Sequence, residues 1–465
     1  MFQLVVVRPY QKVLSWLLDI LTFLPRLMPR FLRRILALVA ACACMGILVY
    51  SVYLGNVQME RNRMLFMGAF ALLTLFMADK RMESQRWPAW IVIPWLLIAL
   101  SMLLAFIMFR DAEYLCGAIM ALVQLPAFWL VVGSRDDHGD TTGTLALAAT
   151  LLFCAILVLS VLGHPIGSGR YSGIMDNANT FAFVLLPCLP FLLWAMSSCY
   201  RQWQRALCFI LAACDLALLF FCGSRSALIA TVLILIVWLW ADWREAEHRR
   251  LRTLLRDTLG LAATTVAAAL LLFYASGLGA NASTAPIHSA VAESLQLTQD
   301  VDLEFQENAS GNDFLESCRE ILEHLGLGSE GGDFSNDRLR IWRAYWEAMG
   351  PLGHDVDDPF RDSLGPGANT AHNAALQVSY DFGVVAGCAF LLLQLMVPLC
   401  LLLGLWHYRR GMDEKGLALF CAAALTIAFA VIMLVEGVYK PFVNLLPWLA
   451  ACAIMPGYLL AKRED

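Results

Sequence analysis

Charge is scarce in this sequence: Asp, Glu, Lys and Arg make up 15% of its 465 residues, whereas 60% are apolar. A soluble domain cannot bury that much apolar surface, so soluble protein classes are excluded. The mean hydropathy of +0.65 agrees with a polytopic, all-α integral membrane protein. Nothing in the composition indicates a nucleic-acid-binding protein, and no internal repeat is evident.

Paired cysteines are also lacking. The 14 cysteines include no CxxC pair, which argues against a zinc site or a redox pair. Nearly all lie within apolar runs, as Cys42 and Cys44 do, and only Cys318 lies in the long polar segment. That segment therefore has no internal disulfide, and the cysteines are expected to be small packing residues.

The N-terminus lacks the pattern of a secretory signal, because Arg8, Lys12 and Asp19 interrupt it. Residues 1–34 instead form a basic amphipathic stretch, which predicts a segment lying along the cytoplasmic membrane interface. A poorly structured tail is the alternative interpretation of the same residues.

Twelve apolar runs approach the roughly 20 residues needed to span a bilayer. They are Ile35–Leu54, Met64–Ala78, Pro88–Phe109, Ala112–Gly133, Thr144–Leu162, Thr180–Tyr200, Ala206–Cys222, Ser226–Ala241, Thr258–Ser276, Gly383–Trp406, Gly416–Glu436 and Pro441–Ala461. The two runs on either side of Gly223 are alternatively one kinked segment.

The spans predict an organisation with nine helices over 35–276, a polar loop over 277–371, and three helices and a short tail over 372–465. With both termini inside, 22 of the 33 basic residues fall in cytoplasmic segments, as the positive-inside rule requires. The long loop, the Ser224-Arg225 turn and the Gly163–Asn179 loop then lie outside. The polar composition of Asn281–Asp313 predicts a flexible segment, and its order on ligand binding is left open.

Three arginines of the long loop lie on a predicted helix, RLRIWRAYWEAMG. Its residues Leu339, Trp342, Trp346 and Met349 recur at helical spacing. The loop has 17 acidic residues and five basic ones, so Arg338, Arg340 and Arg343 beside Trp342 stand out as a candidate anion site with aromatic faces. Ion pairing with neighbouring carboxylates is the alternative. Asp357-Asp358 is predicted to be solvated surface.

The Ser224-Arg225 turn and the entry to the tenth span supply the other candidates. Arg225 between two apolar runs requires water, a counter-ion or a ligand, and a snorkelling interface arginine is the alternative. His372 has the side chain best suited to take a proton from a hydroxyl, or it caps the helix. Asn373 is expected to orient a ligand or to bind backbone carbonyls. Lys440 is a possible third cationic contact, and mid-span Asp215 leaves a transporter open.

Four segments resemble the O-antigen ligase and polymerase family. CGSRSALIA resembles its Ser-Arg-Ser turn, NDRLRIWRAYWEAMGPLG its Arg-x-x-x-Trp and Pro-x-Gly segment, and AHNAALQVSYDFGVVAG its His-Asn entry to a span. RYSGIMDNANTFAFVLLP resembles its Arg-x-x-Gly and Asn-Pro-Asn stretch, with Ala178 in place of the proline. The resemblance covers roughly 170–387, in the family's order.

The resemblance implies a GT-C-like, inverting glycosyltransferase of the bacterial inner membrane that needs no metal or cofactor. Its donor is a glycan on undecaprenyl diphosphate, and its active site faces the periplasm. Carried over to this sequence, Arg225, Arg338 and Arg170 bind the donor diphosphate and His372 activates the acceptor hydroxyl. Ser224, Asn373, Arg340, Trp342 and Lys440 are expected to support them. Fixed cations and a base are also what this chemistry requires, because the diphosphate is already a good leaving group.

The acceptor separates the functions that remain open. A sugar hydroxyl on lipid A core makes the protein an O-antigen ligase, and a second lipid-linked repeat unit makes it a polymerase. Sugar identity, linkage and oligomeric state are not encoded in any motif. A lipid-linked oligosaccharide flippase is a third possibility, although it predicts inverted repeats and midplane charges in both halves. The polar candidates gather instead on one outer face.

Overall fold

The computed structural model of the chain consists almost entirely of helices. It describes residues 3–53, 59–82, 85–135, 138–167, 169–175, 177–199, 201–245, 251–282, 314–323, 325, 338–355, 358–364, 370–408, 414–435 and 462–463. The helices are α1 (Arg8–Leu21), α2 (Phe23–Leu27), α3 (Arg30–Tyr53), α4 (Met59–Met77), α5 (Ala89–Phe109), α6 (Ala112–Ile119), α7 (Leu125–Ser134), α8 (His138–Gly163), α9 (Ala178–Leu185), α10 (Cys188–Ser198), α11 (Gln202–Cys222), α12 (Arg225–Glu245), α13 (Leu251–Ala282), α14 (Phe314–Leu322), α15 (Arg338–Ala348), α16 (Pro359–Ser363), α17 (Ala374–Phe382), α18 (Val384–His407) and α19 (Glu414–Val435).

Four short elements complete the list for the described residues. Gln3–Val7 is a π-helical turn before α1, and Met120–Gln124 is a π-helical turn that joins α6 to α7. Two strands of two residues each, β1 (Gln85–Arg86) and β2 (Lys462–Arg463), pair antiparallel.

Among the residues that the structure describes, eight apolar helical segments are long enough to cross a membrane, which confirms the multi-pass helical class. They are Ala89–Phe109, Ala112–Ser134, Asp140–Gly163, Ala178–Ser198, Gln202–Cys222, Arg256–Ser276, Val384–His407 and Gly416–Val435. Asn62–Met77 and Arg225–Ala241 are shorter apolar helices. Residues 35–53 of the predicted first span lie within α3, and the predicted twelfth span, Pro441–Ala461, lies outside the described residues. The number twelve therefore stays a prediction.

The chain divides into two compact units. Unit 1 comprises Met1–Ala149, Ile229–Leu251 and Ser335–Asp465, and unit 2 comprises Thr150–Leu228 and Arg252–Phe334. The two helices predicted in the polar loop therefore fall in different units, with α14 in unit 2 and α15 in unit 1.

Helix α1 has the amphipathic pattern predicted for the N-terminal segment. It buries Leu14 and Leu18, whereas Trp16 is 67% exposed and Ile20 is 54% exposed. An exposed tryptophan on a helix that also carries basic residues is typical of a membrane interface. The interfacial position of residues 1–34 stays a prediction.

Two glycines let the end of the polar loop cross α17 closely. Gly353 has φ +87°, and a Cβ placed on it would lie 2.2 Å from the carbonyl oxygen of Asp381. Gly383 has φ +91°, and its Cβ would lie 2.2 Å from the carbonyl oxygen of Pro351. Both neighbours are backbone atoms, which cannot move aside as a flexible side chain does. The crossing therefore requires glycine at both positions and fixes where α17 ends.

We expect Gly353→Ala to lower the free energy of unfolding by at least ~2 kcal/mol, because the methyl group meets backbone at a strained φ. Gly167→Ala is the matched control, since nothing lies within 4 Å of its Cβ position. The measurement is thermal unfolding of both variants in detergent. Equal unfolding midpoints would contradict the close crossing.

Candidate functional site

The Ser224-Arg225 turn joins two helices, which are interrupted at Gly223 and Ser224. Helix α11 ends at Cys222, its C-cap Gly223 has φ +58°, and α12 begins at Arg225. Ser224 is buried, and its carbonyl oxygen accepts a hydrogen bond of 2.9 Å from the Leu228 amide. Nε and Nη1 of Arg225 are themselves buried. Arg225 is thus held at the positive N-terminal end of a helix, where an anion is favoured.

The Gly163–Asn179 loop is fastened to the end of α11. The Tyr171 amide donates to the carbonyl oxygen of Phe221 over 2.9 Å, and its hydroxyl donates to that of Ser160 over 2.7 Å. Arg170 Nε donates to the carbonyl oxygen of Cys222 over 2.9 Å, and its Nη2 donates to Asn179 Oδ1. Arg170 therefore lies beside the Arg225 turn within unit 2. Two of its side-chain nitrogens donate hydrogen bonds to residues next to that turn.

Helix α14 packs on the same end of α11. The Phe314 ring lies 6.3 Å from the Phe221 ring and 5.5 Å from the Phe273 ring, as measured between centroids. Glu320 Oε2 accepts a hydrogen bond of 2.8 Å from the Gly169 amide. Helix α14 of the polar loop is thereby tied to the Gly163–Asn179 loop within unit 2.

Helix α15 in unit 1 carries the other candidate arginines. It buries Ile341 and Tyr345, whereas Leu339 and Trp346 are 64% and 68% exposed. The helical spacing of Leu339 and Trp346 thus predicted the helix correctly, but these residues do not lie on its buried face.

The polar residues of α15 differ in their surroundings. Arg338 is half-buried at the first position, and Arg340 is exposed. Arg343 Nε pairs with Glu347 Oε1 at 2.8 Å on the exposed surface, so the ion-pair interpretation holds for this arginine. Trp342 Nε1 is buried and has no hydrogen-bond partner in the part of the chain that the structure describes.

An aromatic cluster fastens α15 to α17. The Tyr380 ring lies 5.0 Å from Tyr345 and 5.5 Å from Phe360, and it stacks on the His354 imidazole at 4.1 Å. The Tyr380 hydroxyl donates to Asp358 Oδ2 over 2.7 Å. Asp358 is therefore a structural acceptor, and its assignment to solvated surface is wrong. The cluster fixes the helix that begins with Arg338 against the helix that follows His372.

His372 has an unusual backbone conformation. Its φ is +46°, in the left-handed region, and its Nδ1 is buried. Such a conformation costs a residue with a Cβ about 1–2 kcal/mol, and strain of this kind clusters at functional sites. Asn373, the next residue, caps α17: its Oδ1 accepts from the Leu376 amide over 3.1 Å, and its Nδ2 donates to the Leu434 carbonyl over 3.0 Å.

The structure gathers the predicted residues in two places, each within one unit. Unit 2 brings together Arg170, Ser224 and Arg225, and unit 1 brings together His372 and Asn373 with the helix that carries Arg338, Arg340 and Trp342. Lys440 lies outside the described residues. Asp215 is buried in α11, and neither carboxylate oxygen has a hydrogen-bond partner among the described residues.

A family model described as O-antigen ligase matches residues 207–391. Over these residues the chain is similar to the O-antigen ligase family. The resemblance seen in the sequence is thereby confirmed over that range, which includes Arg225, Arg338 and His372 but neither Arg170 nor Lys440. The chain is a membrane glycosyltransferase of the ligase or polymerase type. No curated protein matches the chain.

Proposed function

We propose that the chain transfers a glycan from undecaprenyl diphosphate to a sugar hydroxyl of lipid A core, which is the O-antigen ligase reaction. The observation that carries the proposal is His372, which has a strained conformation immediately before the N-cap of a buried helix. Arg225 and Arg338 are each the first residue of a helix, and both lie within the matched residues 207–391.

The proposed roles follow from the chemistry of the transfer. The acceptor hydroxyl attacks the anomeric carbon from the face opposite the diphosphate and inverts that centre. The bond from the anomeric carbon to the phosphate oxygen breaks as the new glycosidic bond forms, and the imidazole of His372 takes the hydroxyl proton. Arg225 and Arg338 neutralise the charge that develops on the diphosphate, a task that guanidinium groups perform without a metal. Arg170 is proposed as a third contact to the diphosphate, and its bonds to the Cys222 carbonyl and to Asn179 hold it beside the Arg225 turn.

We further propose that the protein lies in the bacterial inner membrane with both termini cytoplasmic, as the positive-inside rule predicts. Arg225, Arg338 and His372 then face the periplasm, where the lipid-linked donor and the lipid A core meet. The proposal includes membrane lipid as a partner, because the polyprenyl chain of the donor reaches the protein from the bilayer.

The test is glycan transfer by the purified protein in detergent with EDTA and an undecaprenyl-diphosphate oligosaccharide donor. Rough lipopolysaccharide is offered as acceptor in one reaction, and the donor alone is supplied in the other. Product on lipopolysaccharide is the expected result. A ladder from the donor alone would make the protein a polymerase, and no product from folded protein in either reaction would favour the transporter.

A further inference from the structure

Two buried polar residues on α17 are linked to the residue that precedes His372. Gln377 and Asp381 lie one helical turn apart and are 0% and 1% exposed. Gln377 Oε1 accepts a hydrogen bond of 2.8 Å from the Ala371 amide. Gln377 Nε2 donates to Oδ1 and Oδ2 of Asp381 over 3.1 and 3.0 Å. The side-chain amide of Gln377 is therefore engaged at both ends.

The carboxylate of Asp381 determines which way the Gln377 amide points. Both carboxyl oxygens of Asp381 accept from the NH2 group of Gln377, so that group faces Asp381. Its oxygen then has to face the Ala371 amide, which is a donor. The Gln377 amide therefore has one favourable orientation. If it were flipped, its oxygen would face the Asp381 carboxyl group and its NH2 group would face the Ala371 N–H.

The bond to Ala371 fixes the chain on one side of His372, and the cap formed by Asn373 fixes it on the other. A strained backbone persists only where its surroundings determine it. If the Ala371 amide were released, His372 would relax from φ +46° toward the ordinary negative region. That change would turn the Cα–Cβ bond of His372 and displace its imidazole.

We propose that Gln377 and Asp381 are positioning residues, which hold the left-handed backbone of His372 and so set the direction in which its imidazole meets the acceptor hydroxyl. The inference rests on the proposed role of His372 as the base. It assigns a function to two residues that touch neither substrate directly, and it makes the kcat of transfer depend on the polarity of their hydrogen bond.

The decisive experiment reverses that polarity. Gln377→Glu places two carboxylates together, and we expect kcat to fall on the order of 100-fold with KM within about twofold, because a displacement near 1 Å has such an effect. Adding Asp381→Asn to Gln377→Glu restores a carboxylate–amide pair, in which the introduced carboxylate accepts from the Ala371 amide and from the introduced side-chain amide. This double variant has the same number of carboxyl and amide groups as the wild type and is expected to recover kcat to within ~10-fold.

Gln394→Glu is the matched control, because Gln394 is also a buried glutamine of unit 1 and donates to the Ala430 carbonyl from α18. It introduces a buried carboxylate away from His372, so the kcat of its folded fraction should stay within about twofold of the wild type. A double variant no more active than Gln377→Glu would overturn the inference, as would a rise in KM with kcat unchanged.

A second measurement does not depend on activity. Gln377→Met keeps the side-chain length but removes both hydrogen bonds, so hydrogen exchange of the Ala371 amide should accelerate at least ~10-fold. Unchanged exchange would contradict the positioning role. If His372→Ala retained transfer while Ala371 exchange still responded to Gln377→Met, the proposed base would be wrong and the link to Gln377 would stand.

Discussion

Replacing His372 by alanine should lower kcat by about 10³-fold in folded protein, because the transfer loses its base. Asparagine is the sharper replacement, since it tolerates φ +46° and keeps a polar side chain but cannot take a proton. We therefore expect His372→Asn to be as inactive as His372→Ala. The measurement is single-turnover transfer from the lipid-linked donor to rough lipopolysaccharide.

The two variants separate proton transfer from backbone geometry. If His372→Asn kept a tenth or more of the wild-type kcat, hydrogen bonding by a left-handed residue would suffice, and general-base catalysis by His372 would be excluded. Thermal unfolding of both variants serves as the control, because an effect on folding would lower the amount of active protein and leave kcat per folded molecule unchanged.

Replacing Arg225 or Arg338 by alanine should lower kcat/KM for the donor by roughly 10²- to 10³-fold. Each guanidinium is proposed to pair with diphosphate oxygens in a planar, two-pronged geometry that an ammonium group cannot reproduce. Lysine is therefore expected to recover only part of the loss at either position. The measurement is the initial transfer rate as a function of donor concentration.

Arg343 is the matched control for Arg338 because it lies on the same helix. It is exposed and pairs with Glu347, and surface pairs of that kind contribute little. Arg343→Ala should keep kcat/KM within about twofold of the wild type. If Arg343→Ala and Arg338→Ala were equally impaired, the total charge of α15 would be responsible, and a specific diphosphate contact by Arg338 would be excluded.

The helices could be predicted from the sequence because hydropathy and periodicity are local properties. The break at Gly223 and the helix over Arg338–Ala348 both follow from adjacent residues. The buried face of that helix does not, because its partners Phe360 and Tyr380 come from elsewhere in the chain. The stripe through Leu339 and Trp346 is therefore regular but exposed.

Only the charged residues of the candidate site, and His372, could be predicted from the sequence. An arginine or a histidine at the edge of an apolar run is conspicuous, and the family motif assigns each a role. Gln377 and Asp381 look like ordinary polar residues of a helix, and only the contact with the Ala371 amide reveals a link to His372. The left-handed conformation of His372 was equally hidden, because φ above zero is expected of glycine rather than histidine.

The conformation of His372 sets stability against activity at a single position. Glycine adopts φ +46° without strain and asparagine adopts it readily, so the fold alone would favour either of them over histidine. Selection for expression or heat resistance alone should therefore enrich glycine or asparagine at position 372 and leave well-folded, inactive protein. In a homologue that is no longer selected for glycan transfer, we expect His372 to be replaced early. Gly353 and Gly383, which the close backbone crossing requires, should be replaced later.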